Sequence, residues 1–326
     1  MKLYALGVCS LLLAAWAPAN AQQISEKEVT RIISVLAADS MQGRATYSPG
    51  IEMASLFIEG EFKKAGLESL PGLPGYRQPF TTVGRRIRPL DSVTSAENPR
   101  FLHNVVGMIR GSSKPDEYVV FSGHYDHIGI QKPEAGDSIA NGADDDASGI
   151  TAVILLANYF KQHPPARSVI FAAFTAEEIG GFGSRYFSKQ LNPDRIVAMF
   201  NIEMIGKESK FGRNSAFITG FERSDFGAIL QKNLEKSSFR FHPDPYPEQN
   251  LFYRSDNATL ARLGVPAHTI STTQIDKDTL YHSVNDEVES LDMKNIADII
   301  EAIAISSKSI VAGKDTPVRV AKEEKD

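Results

Sequence analysis

The sequence contains almost no cysteine and has no excess of basic residues. Its 326 residues include one cysteine, Cys9, which lies in an apolar segment at the start of the chain. Once that segment is removed, disulfides cannot stabilise the fold and no thiol can act as a nucleophile. The 35 lysines and arginines are outnumbered by 40 acidic residues and form no basic patch. We therefore expect no nucleic acid partner.

Long apolar segments are also scarce. One such segment, residues 4–16, follows Lys2 and precedes the small residues Ala19 and Ala21. It is shorter than the ~20 residues that span a bilayer, so it favours a signal peptide, residues 1–21, over a membrane anchor. The sequence thus predicts export, either to the periplasm or as a secreted protein, without a stable membrane anchor. It contains no second apolar span, internal repeat or heptad array, and it leaves the oligomeric state open.

The rest of the chain has the length and the 42% hydrophobic content of one globular domain. We assign this domain to residues 22–313, followed by a charged C-terminal tail, residues 314–326, that we expect to be frayed. Ser25 and Glu28 have the spacing of a helix-capping box, which predicts a helix from residue 25. Further helices are predicted at 51–64, 148–163, 181–191, 225–236 and 292–311, with a short one after 255.

From residue 104 onward, short β-branched runs alternate with amphipathic segments. This alternation predicts an α/β fold with a mostly parallel central sheet and helices on both of its faces. The predicted strands are 105–109, 118–122, 168–175, 196–201, 216–219 and 267–271. In such sheets, functional sites form beyond the carboxyl ends of the strands.

Three adjacent carboxylates, Asp144 to Asp146, stand between small residues in the segment 141–149. Because like charges repel, such a run indicates either a solvated acidic turn or a bound divalent cation. Other candidate ligands follow the predicted strands, so they are expected at the same edge of the sheet. Imidazole and carboxylate are groups that zinc binds. These candidates are His124, Glu177, Glu178, Glu203 and His282.

Several further side chains have two possible roles. Asp126 could accept the free ring N–H of His124, or it could simply cap a turn, and Asp286 could do the same for His282. Tyr281 could steady an oxyanion, as could Tyr246 or Tyr253, although half-buried tyrosines more often serve packing. His127 could line the cleft, but a plain loop histidine is the simpler interpretation.

The motifs at 123–126, 142–149, 176–178, 201–206 and 281–283 together resemble those of a known peptidase family. This family comprises the bacterial double-zinc leucyl-type aminopeptidases, with glutamate carboxypeptidases and single-zinc glutaminyl cyclases as relatives. The resemblance runs in order from about residue 36 to about residue 311. It implies a zinc exopeptidase-like fold and two zinc ions per chain.

The resemblance also implies roles for individual residues. Asp145 would bridge the two zinc ions, and its peptide bond to Asp146 would be cis, as it is in relatives. One ion would take His124 and Glu203, and the other would take Glu178 and His282. Glu177 would be the general base. The chain departs from many relatives at Glu203, where they carry aspartate.

The expected function is zinc-dependent peptide hydrolysis, most simply the removal of N-terminal residues from peptide substrates. Two metal ions about 3.5–4 Å apart can activate a water and polarise a carbonyl. A neighbouring carboxylate can then take the proton of that water and return it to the leaving amine. Carboxypeptidase or dipeptidase action, glutaminyl cyclisation at a single zinc, and a non-catalytic binding module are the alternatives.

Overall fold

A mixed sheet forms the middle of the protein, for which a computed structural model describes residues 24–322. The predicted signal peptide lies outside the described residues. In chain order, the strands are β1 (Arg77–Val83), β2 (Arg86–Arg88), β3 (Arg100–Ile109), β4 (Lys114–His124), β5 (Gly129–Glu134), β6 (Asp137–Ala140), β7 (Arg167–Phe174), β8 (Ile196–Ile202), β9 (Ser215–Ile218), β10 (Arg240–Pro243) and β11 (Ala267–Ser271).

Four neighbouring parallel strands, in the order β11-β8-β4-β7, make up the centre of the sheet. On one side of this centre, β3, β1 and β2 continue the sheet in antiparallel fashion. On the other side, β9 is antiparallel to β11 and parallel to the edge strand β10. The predicted mostly parallel central sheet is therefore confirmed at its centre, and the hairpin of β5 and β6 stands apart from it.

Helices cover both faces of this sheet, as predicted. Their bounds are α1 (Glu26–Leu36), α2 (Pro49–Ala65), α3 (Gly149–Gln162), α4 (Phe182–Phe187), α5 (Phe226–Asn233), α6 (Asn257–Ala261), α7 (Met293–Ser306) and α8 (Lys308–Val311). Side chains alternate along each strand, so Phe121 and Phe171 pack with α1, α2, α3, α5 and α7, whereas Val120 and Ile170 pack on the opposite face. Among residues 24–322, no helix combines the length and apolarity that a membrane span requires.

Some local expectations differ from the structure. Ser25 precedes α1 but its side chain makes no capping hydrogen bond, so the predicted capping box does not form. The long C-terminal helix is divided at Ser307 into α7 and α8. Strand β1 and the β5–β6 hairpin were not predicted, because β1 contains Pro79 and several polar residues, and the hairpin is largely exposed.

The expected frayed tail is wrong for its described part. Arg167 donates to the carbonyl of Asp315 at 2.7 Å. The backbone N–H of Val318 donates to Asp225 at 2.7 Å, and Val320 is buried among apolar side chains. Residues 314–322 are therefore held against the domain by hydrogen bonds and one apolar anchor.

Candidate metal centre

The candidate ligands meet at the carboxyl edge of the parallel strands. His124 is the last residue of β4, and Glu203 directly follows β8. Glu177 and Glu178 lie in the loop after β7. Because β7, β4 and β8 are parallel neighbours, their ends place these side chains together. His282 arrives from the long loop after β11.

Asp145 lies at the centre of the cluster, with its two carboxylate oxygens facing different groups. Oδ1 lies 3.1 Å from His124 Nε2, which in turn is 4.0 Å from Glu203 Oε1. Oδ2 lies 3.3 Å from His282 Nε2, which is 3.1 Å from Glu178 Oε2. The sequence-predicted ligands therefore form two groups that share Asp145.

These spacings suit zinc. Bonds of about 2.0–2.2 Å in a tetrahedral arrangement place neighbouring ligand atoms about 3.3–3.6 Å apart. The nitrogen–oxygen distances of 3.1 and 3.3 Å are close to this value. Moreover, His124 Nε2 is buried and has no hydrogen-bond partner among the described residues, although Asp145 is so near. A nitrogen and an oxygen that both face one point, without bonding each other, fit a shared cation.

The balance of charge in this region also favours a bound cation. Burial strongly disfavours ionised carboxylates that have no compensating positive charge. Two cationic side chains, Arg44 and Lys207, lie among the buried acidic groups. Hydrogen bonds to Asp145 and Glu178 raise the pKa of His282 to about 10, which shows how strongly these two carboxylates favour a positive charge at this position. The buried acidic groups of this region are Asp126, Asp144, Asp145, Asp146, Asp256 and Asp286.

Glu177 lies beside this cluster and is suited to proton transfer. Burial raises its pKa well above the ordinary value, His124 opposes that rise, and Glu203 adds to it. A carboxylate with a raised pKa is a stronger base and can hold a proton near neutral pH. Of the two adjacent glutamates, Glu178 faces His282 and Asp145, whereas Glu177 is left available to a substrate or water.

The structure assigns Asp126 a different contact from the expected one. The ring Nδ1 of His124 lies 3.0 Å from the backbone carbonyl of Asp126, not from its carboxylate. The carboxylate instead accepts the backbone N–H groups of Glu177 and Glu178, at 3.0 and 3.3 Å. Asp126 thus fixes the ring of His124 through its main chain and the Glu177–Glu178 loop through its side chain.

Asp286 also differs from expectation. Its carboxylate accepts the backbone N–H groups of Asp144 and Asp145, both at 3.1 Å, and so holds the acidic loop instead of the ring of His282. Asp146 accepts the N–H groups of His124 and Met204 at 3.1 and 3.2 Å. The peptide bond between Asp145 and Asp146 is cis, as the family resemblance implied. The carboxylates of Asp146 and Asp286 therefore accept hydrogen bonds from the backbone around the candidate ligands.

The three tyrosines occupy different surroundings. Tyr281 stacks on the ring of His282, with centroids 3.9 Å apart, and lines a recess next to Glu203. Tyr246 is buried and packs edge-on against Phe217. Tyr253 packs against Phe252 and lines the same cavity as Glu177 and Glu178. Tyr281 is thus the one of these three that contacts a predicted ligand.

Two residues of the site were missed or undervalued by sequence reasoning. His127 is not a plain loop histidine, since its buried ring lies 2.9 Å from Glu178 Oε1. Arg44 is buried and donates to the carbonyls of Tyr125, Asn141 and Gly142. The spacing of His127 from His124 was a usable signal, whereas the contacts of Arg44 depend on the tertiary fold.

Comparison with known proteins shows similarity to a peptidase family and to zinc metalloproteases. A family model for peptidase family M28 matches residues 104–306. A probable zinc metalloprotease of Pyrenophora teres f. teres is 28% identical over 187 residues, which cover 56% of this chain and 37% of that protein. Another, from Pyricularia oryzae, is 38% identical over 115 residues, covering 34% and 22%. The chain thus spans about a fifth to two fifths of the length of these curated relatives.

Solved structures share the fold. An aminopeptidase from Aneurinibacillus sp. strain AM-1 superposes with a TM-score of 0.65 at 16% identity, covering 93% of this chain and 97% of that one. A glutaminyl cyclase from Bacteroides thetaiotaomicron gives a TM-score of 0.66 at 13% identity, covering 91% and 100%. At these identities the likeness concerns the architecture alone.

Proposed function

The chain belongs to peptidase family M28, and on that premise we propose that it is an exported, zinc-dependent aminopeptidase. The observation that carries the proposal is the shared carboxylate of Asp145. It stands between a group with His124 and Glu203 and a group with Glu178 and His282. This arrangement supports two zinc ions per chain, one in each group.

The chemistry divides between the ions and the side chains of this chain. A zinc pair, when bound, polarises a scissile carbonyl and lowers the pKa of a water that it binds. Glu177 takes the proton of the attacking water and returns it to the leaving amine. Its raised pKa suits both halves of that transfer. Asp126 keeps Glu177 and Glu178 in place by accepting their backbone N–H groups.

The surroundings of the cluster can hold a peptide. A cavity of about 700 Å³ is lined by Glu177, Glu178 and Asp256 and extends toward Arg262, and this size is within the range of ligand sites. A second recess beside Glu203 is lined partly by apolar side chains, and we propose it as the pocket for a substrate side chain. Its lining includes Met204, Phe217, Leu251, Ile275 and Tyr281.

The preference for N-termini follows from charge. A free α-amine is cationic, and we propose that it binds beside Glu177, Glu178 and Asp256; Arg185, Lys189, Arg254 and Arg262 line the same cavity. The structural neighbour from Aneurinibacillus is itself described as an aminopeptidase. Export is proposed separately, from the apolar segment and small-residue site within residues 1–21.

A peptide panel tests this function. Purified protein supplied with zinc is given peptides with free and with acetylated N-termini, and released amino acids are measured. We expect hydrolysis of the free peptides only, and loss of that hydrolysis in Glu177→Gln. Release from the C-terminus, or equal cleavage of blocked peptides, would contradict the aminopeptidase assignment. Cyclisation of N-terminal glutamine without hydrolysis would identify a cyclase instead.

A further inference from the structure

The ring of His127 makes its polar contacts with two of the predicted metal ligands. The ring is 1% exposed, and Nδ1 lies 2.9 Å from Glu178 Oε1 in hydrogen-bonding geometry. The same nitrogen is 3.7 Å from Asp145 Oδ2. The other ring nitrogen, Nε2, is buried and has no hydrogen-bond partner within residues 24–322. The ring therefore makes its polar contacts with two predicted ligands and not with the surrounding protein.

The direction of this hydrogen bond follows from the chemistry of Glu178. A carboxylate that binds a cation is ionised and can only accept hydrogen bonds. Nδ1 of His127 must then carry the hydrogen and donate it to Oε1. The remaining oxygen, Oε2, is the one that lies 3.1 Å from His282 Nε2. Oε1 of Glu178 thus accepts the hydrogen bond from His127, whereas Oε2 faces His282.

The surrounding backbone fixes the ring in this position. The N–H of His127 donates to the carbonyl of Arg44 at 3.2 Å. Gly142 leaves room for the ring, because a Cβ atom there would lie 2.6 Å from His127 Cγ. The rings of His127 and His282 meet edge to face, with centroids 5.7 Å apart. An imidazole held so firmly has few other orientations.

We infer that His127 is a positioning residue, which holds Oε1 of Glu178 so that Oε2 faces the cation between Asp145 and His282. The inference rests on the metal-binding part of the proposed function. Partners of this kind, hydrogen-bonded to metal ligands, change metal affinity by about 10–100-fold. The effect is centred on one of the two cations, because the polar contacts of the His127 ring are with Glu178 and Asp145. The alternative is that Nδ1 is itself a ligand.

Two substitutions separate these roles. His127→Phe keeps a ring of similar size but cannot donate, whereas His127→Asn places an amide N–H near the position of Nδ1 and is a poor zinc ligand. Zinc affinity is measured for each full-length protein by competition with a chromophoric chelator, and cobalt spectra report the two sites. His127→Ala is measured in the same way, in case the phenylalanine does not fit. His268→Phe is the matched control, since His268 is equally buried but bonds Ser224 and Thr219.

We expect His127→Phe to bind one of its two zinc ions about 10–100-fold more weakly, His127→Asn to remain close to wild type, and His268→Phe to keep both ions. Equal weakening in His127→Asn and His127→Phe would make His127 a ligand and overturn the inference. Wild-type affinity in His127→Phe and His127→Ala would overturn it as well. If the wild type bound no zinc, the proposed function would fail; if it bound two and the variants matched it, the inference alone would fail.

Discussion

The two halves of the candidate metal centre are built differently. His124 and Glu203 stand at the ends of strands, and the side chain of His124 is only 2% exposed. Glu178 and His282 come from loops, and the side chain of His282 is 36% exposed, with a left-handed backbone at φ 57°. The sheet therefore sets one half directly, whereas the other half depends on side-chain partners such as His127 and Tyr281.

The largest effect is expected where the two halves meet. Asp145→Ala removes the carboxylate that faces both groups, so both zinc ions should bind far more weakly and hydrolysis should fall to background. Metal analysis after dialysis and a peptide assay check this result. Retention of two ions in Asp145→Ala would show that the halves do not share a ligand.

The next effect concerns Glu177, which belongs to neither half. Glu177→Gln keeps the shape of the side chain but removes the base, so kcat should fall by about 10²–10⁴-fold or more. Zinc content should stay at the wild-type level, because Glu178 makes the contacts with His282. Glu178→Gln is the matched comparison, and it should lose metal as well as activity.

A third comparison concerns the stability that each half contributes in the absence of metal. His124→Gln and His282→Gln should each lose one zinc ion, but they should differ in stability without metal. His124 is buried and hydrogen-bonded to the carbonyl of Asp126, so its replacement should lower the free energy of unfolding by about 1–3 kcal/mol. His282 is 36% exposed, and solvent screening weakens its ion pairs with Asp145 and Glu178, so its replacement should lower that free energy by less. Urea unfolding of the metal-free proteins measures both, and equal losses would contradict the distinction.

The smallest effect involves histidines outside the cluster. Burial lowers the pKa of His268 to about 4, whereas its ordinary value is 6.5. Between these values the unfolded chain binds more protons than the folded one, so stability falls as pH falls from about 6.5 to about 4. In metal-free protein, His268→Gln should reduce this slope relative to wild type. Urea unfolding at several pH values measures the slope, and an unchanged slope in the variant would contradict this contribution of His268.

Much of the strand-built half could be predicted from the sequence. The apolar runs that became β4 and β8 place His124 and Glu203 at one edge, as the rule for parallel sheets requires, and the run that became β7 brings Glu177 to the same edge. The bridging role of Asp145 is what the family resemblance implies, and its two carboxylate oxygens lie 3.1 Å from His124 Nε2 and 3.3 Å from His282 Nε2.

The loop-built half was harder to predict, because its contacts join residues far apart in the chain. Asp286 was expected at His282, but it holds the backbone of Asp145 instead. Nothing in the local sequence of Arg44 indicates that it would be buried beneath the acidic loop. Such partners are set by where loops pack, and side-chain periodicity does not encode that information.

Counting zinc tests the central claim most directly. The wild-type protein, saturated with zinc and dialysed against metal-free buffer, is analysed by inductively coupled plasma mass spectrometry alongside Asp145→Ala. We predict two zinc ions per chain in the wild type and a loss of both in the variant. One ion per wild-type chain would contradict the shared two-metal centre and favour a single-zinc enzyme, and none would contradict a zinc centre altogether.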